Sequence, residues 1–117
     1  MGQDHFQPEA YLDPQEQRKV RGRLEQVDAA AFNANRQVAA RTVGLVDINR
    51  FERLAKSAAH ARALWVAAAL TASEKTLTPS PQEIAHLTAL RTAYDELAQA
   101  YDAGRRMVER GYICFVD

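Results

Sequence analysis

Apolar residues recur along this chain with alternating spacings of three and four, over three long stretches. In the first, Val20, Leu24, Val27, Ala31, Ala34 and Val38 step by 4-3-4-3-4. In the second, Phe51, Leu54, Ala58, Ala61, Trp65, Ala68 and Ala72 do the same, and in the third Leu87, Leu90, Tyr94, Leu97, Tyr101, Gly104 and Val108. Sustained 3-4 alternation is the seam of helices that mesh side chains as coiled coils do, at about +20°. Three helices are predicted, over roughly 14–43, 47–73 and 81–110.

The boundaries are written into the sequence as well. Asp13-Pro14-Gln15-Glu16 and Ser80-Pro81-Gln82-Glu83 each place a capping residue, then proline where its missing N–H costs nothing. Glutamate follows at the third helical position, from which it can bond back to the cap. Gly44 and Gly111 are the expected helix stops, and Thr76 to Pro81 reads as a loop. Helices of matched length joined by short links predict an all-α, elongated up-down-up three-helix bundle with coiled-coil-like packing over residues 13–110. An extended segment precedes it at 1–12, and a short extended apolar tail follows at 111–117.

The second helix carries more apolar surface than such a bundle uses. Ala59, Ala63, Val66 and Leu70 form a further 4-3-4 stripe, about 100–160° around the helix from its first seam. Either the chain's own ends cover it, through Phe6, Tyr11, Leu12 or the tail, or another chain does. The tail, Tyr112-Ile113-Cys114-Phe115-Val116, is the one strongly β-prone run. Five residues make no sheet alone. It is expected to fold back as a strap, to pair with its copy, or to add to a partner's sheet edge. Tyr112 and Phe115 therefore join the stripe on the second helix as candidate interface residues.

Composition narrows the function classes. Fifteen basic and fifteen acidic residues cancel, which argues against a surface built throughout for nucleic acid or anionic lipid. The balance is uneven along the chain, with ten basic and four acidic residues between 18 and 62. Arg18, Lys19, Arg21 and Arg23 are the densest cluster, a candidate phosphate-binding patch or else a solvated helix face. No aromatic residues interleave with them to stack on single strands. The single cysteine excludes an internal disulfide framework and fits a reducing, cytoplasmic setting. No apolar run is long enough to span a membrane, and the first residues lack a basic-then-apolar leader pattern. Alanine and arginine usage is that of a GC-rich bacterium, its phages or its plasmids.

Candidate chemistry is thin. His5, His60 and His86 do not converge: folding the second helix on the third about residue 77 leaves His60 and His86 about 12 Å apart along the axis. Glu83-Ile84-Ala85-His86 matches one element of a di-iron bundle, which needs two such elements and two further glutamates. Histidine phosphotransfer domains are helical and of this length, but they carry lysine and glycine three and four positions after the phosphorylated histidine. Here Ala63 and Leu64 follow His60, and Ala89 and Leu90 follow His86. Cys114 lies in an apolar tail, where desolvation opposes thiolate formation. No nucleophile elbow and no glycine-rich phosphate loop occurs. The expectation is a protein without catalytic residues, metal or cofactor, whose partner is another protein and which forms a homodimer. The alternative is a nucleic-acid-associated regulator that uses the basic region, with weak binding.

Overall fold

The computed structural model describes residues 13–116 and is all-α and elongated, with 83% of those residues helical. Three helices, α1 (Pro14–Thr42), α2 (Ile48–Lys75) and α3 (Pro81–Glu109), are joined to two short strands, β1 (Val46–Asp47) and β2 (Phe115–Val116). Each helix starts where a side chain satisfies free backbone N–H groups. The Glu16 N–H donates to Asp13 Oδ1 at 2.8 Å. At Ser80 the reciprocal box is complete, since the Glu83 N–H donates to Ser80 Oγ and the Ser80 N–H to Glu83 Oε1. The α2 cap is Asp47, which accepts from the Arg50 N–H at 2.9 Å. Gly44 and Gly111 stop α1 and α3 in the left-handed region, at φ of 75° and 80°.

α2 and α3 form an antiparallel pair, and the predicted seams are what meets. Ala58, Ala61 and Ala72 are buried, and the α3 seam from Leu87 to Val108 is half-buried along its length. Small residues on α2 let the helices close up, while aromatics fill the wider levels. Trp65 stacks on Tyr94 with ring centres 6.0 Å apart, and Phe51 tilts against Tyr101 at 5.4 Å.

In the single chain this meshing involves α2 and α3 only. α1 runs away from the pair, and its seam faces solvent: Leu24 is 52% exposed, Val27 61% and Val38 51%. The molecule measures 68 × 53 × 17 Å, so the helices lie nearly in one layer. Its radius of gyration is 22.7 Å, against about 13 Å for a compact chain of this length.

The physical reason lies at the junction of α1 and α2. Ala39, Val46 and Ile113 form a small buried core there, surrounded by Val43, Phe51, Met107, Val108 and Tyr112. The tail folds back as a strap and its β2 pairs in parallel with β1, Val46 opposite Phe115 and Asp47 opposite Val116. Tyr112 reaches Phe32 of α1, with ring centres 5.5 Å apart. The tail thus stands between the last turns of α1 and the end of the α2–α3 pair.

Candidate interaction surface

The four residues of the α2 outer stripe share one exposed face. Ala59 and Ala63 are exposed, Val66 is 48% exposed and Leu70 58%. α3 packs on the other side of the helix, as the burial of Ala58, Ala61 and Ala72 requires. The tail sits at the far end, over β1, and does not reach the stripe. The other predicted cover, Phe6, Tyr11 and Leu12, lies outside the described residues.

A second apolar surface is one that sequence reasoning assigned to the interior. Val20, Leu24, Val27 and Ala31 occupy one side of α1, and all but the half-buried Val20 are exposed. Periodicity marked this side as apolar but carried no information on whether a neighbour lies within the same chain. Among the described residues only six are buried, and four of them are alanines at the seam and junction. No large side chain is fully buried. A chain of this mass in compact form exposes about 6,400 Å²; this one exposes 9262 Å².

No protein family, curated protein or solved structure matches this chain.

The tail residues divide. Tyr112 is half-buried, with its ring packed against Phe32 of α1. Phe115 sets its ring edge-on to Phe51 at 5.6 Å and remains 43% exposed. Cys114 is exposed, not enclosed among its apolar neighbours.

Arg18, Lys19, Arg21 and Arg23 are all exposed on the projecting half of α1. At 100° per residue they spread over about 200° of the helix, from beside Val27 round the back to the flank beyond Leu24, so they form a broad arc and not a narrow groove. Arg36, farther along, lies over the Phe32 ring at 5.9 Å and is tied to the junction.

His60 and His86 are exposed on different helices. Among the described residues no three of His, Cys, Asp and Glu gather as metal ligands do. Glu83 is held by its capping role. The Ser80 backbone N–H keeps its carboxyl below the usual range, with the Ser80 hydroxyl and Lys75 acting in the same sense against partial desolvation. Among the described residues no helix is long and apolar enough to cross a membrane.

Proposed function

We propose that this protein is a non-catalytic helical interaction module that self-associates through α2, serving as an adaptor, chaperone, inhibitor or assembly subunit. The observation that carries the reading is the exposed stripe of Ala59, Ala63, Val66 and Leu70, on a chain whose described residues build only a small core. Each bulky apolar side chain left in water forgoes about 1.5–3 kcal/mol of burial, so a second chain is the natural cover. The two alanines allow a partner helix to approach closely. A single free cysteine suits a reducing cytoplasm.

The test is Val66→Glu combined with Leu70→Glu, followed by light scattering and circular dichroism. Loss of the dimer with most helix signal retained supports the reading. Unchanged association, or a wild-type protein that is already monomeric, contradicts it.

The exposure of Arg18, Lys19, Arg21 and Arg23 on a projecting helix favours a second reading, a nucleic-acid-associated regulator. Contacts to phosphate would give a steep fall of affinity with salt.

A further inference from the structure

We propose that two copies of the chain exchange helices, the apolar stripe of α1 in each lying antiparallel along the outer stripe of α2 in the other. This rests on the self-association proposed above and names the two surfaces that meet. Both stripes step by 4-3-4, so they match residue for residue when the helices run in opposite directions. Leu24 then faces Val66, Val27 faces Ala63 and Ala31 faces Ala59. Val20 meets Leu70 at the outer end, so bulky layers lie at one end of the contact and alanine layers at the other.

The geometry of the junction keeps α1 from making this contact within its own chain. Phe32, Arg36, Ala39 and Val43 face the tail and the junction core. At 100° per residue, that side of α1 lies about 120° around from the side bearing Leu24 and Val27. Turning the stripe onto its own α2 would tear Ala39, 2% exposed, from Ile113 and part Tyr112 from Phe32. A second copy needs no such rearrangement.

Coverage separates this pairing from α1 packing on its own copy, which would leave the exposed α2 stripe of both chains without a partner. In this register Asp28 comes level with Arg62, and the basic turn at Arg21 and Arg23 passes the uncharged stretch Ala67 to Ala69. One twofold axis makes the contact twice and covers both stripes of both chains. The doubled contact is on the order of 1,200 Å², the lower edge of specific interfaces.

The experiment uses the full chain with Cys114→Ser, so that introduced thiols alone can bridge. Leu24→Cys and Val66→Cys are made in separately tagged chains, co-expressed and mildly oxidised, with circular dichroism confirming that each remains helical. A disulfide between the two different chains, and none within either type alone, is the expected result. A bridge between two Leu24→Cys chains would show α1 pairing with itself, and one between two Val66→Cys chains would show α2 doing so. Either overturns the exchange while leaving self-association intact. A doubly substituted chain that bridges internally as a monomer overturns both.

Discussion

The Phe51 ring of α2 lies directly over Gly104 of α3, with its Cζ 3.0 Å and its Cε2 3.1 Å from where a Cβ on that residue would stand. The contact explains why a glycine occupies the α3 seam, a position where a larger apolar residue is the rule. The ring has little room to give, since Tyr101 and Phe115 flank it at 5.4 and 5.6 Å.

Gly104→Leu is therefore expected to lower stability by about 1–3 kcal/mol through overpacking. Gly22, also helical, has nothing within 4 Å of its virtual Cβ. Gly22→Ala is expected to raise stability by up to about 1 kcal/mol, since only helix propensity changes there. Denaturant titration of the two variants checks the opposite signs. A gain for Gly104→Leu would mean that Phe51 does not sit on that site.

The cap of α3 makes a pH-dependent contribution. Glu83 has its carboxyl held below the ordinary 4.5, chiefly by the Ser80 backbone N–H. A depressed carboxyl contributes stability that is full above its unfolded value and fades as pH falls through the lower folded value. The melting-temperature gap between wild type and Glu83→Gln should thus be constant from neutrality to about pH 5 and narrow below pH 4.5. Ser80→Ala should cost about 1 kcal/mol at neutral pH. A gap that widens on acidification would contradict the assignment.

Ile113 holds the strap to the junction, where it is 7% exposed beside Ala39 and Val46. Ile113→Ala is expected to destabilise the protein by about 2–4 kcal/mol and to free α1 from its fixed angle. Spin labels at Arg23 and Leu64 would report that release as a broadened distance distribution. An unchanged, narrow distribution would show that the tail does not set the angle.

Much of this fold was legible in the sequence. Proline after Asp13 and Ser80 located two helix starts to the residue, and the 3-4 spacing identified both faces that α2 and α3 bring together. The Asp47 cap was missed because no proline or glutamate accompanies it, and β1 because two residues carry no period. The orientation of α1 was not legible at all. Its spacing specifies an apolar side, but the partner of that side depends on Ile113 and Tyr112, some seventy residues away, reaching Ala39 and Phe32. The stripe on α2 was recognised as surplus because one helix cannot use two seams 100–160° apart in a three-helix chain.

For the basic arc on α1, binding to nonspecific duplex DNA is expected at about 10 μM or weaker at physiological salt. A fluorescence anisotropy titration over several salt concentrations checks this. Submicromolar, sequence-selective binding that is lost on replacing Arg18, Lys19, Arg21 and Arg23 would reverse the order of the two functional readings.

Self-association is proposed to bury the exposed helical stripes of the chain against another copy of itself. Sedimentation equilibrium of the intact protein, at concentrations up to about 100 μM, tests it most directly. The expected result is a mass of twice the 13.1 kDa chain. A single species of 13.1 kDa across the whole range would contradict it.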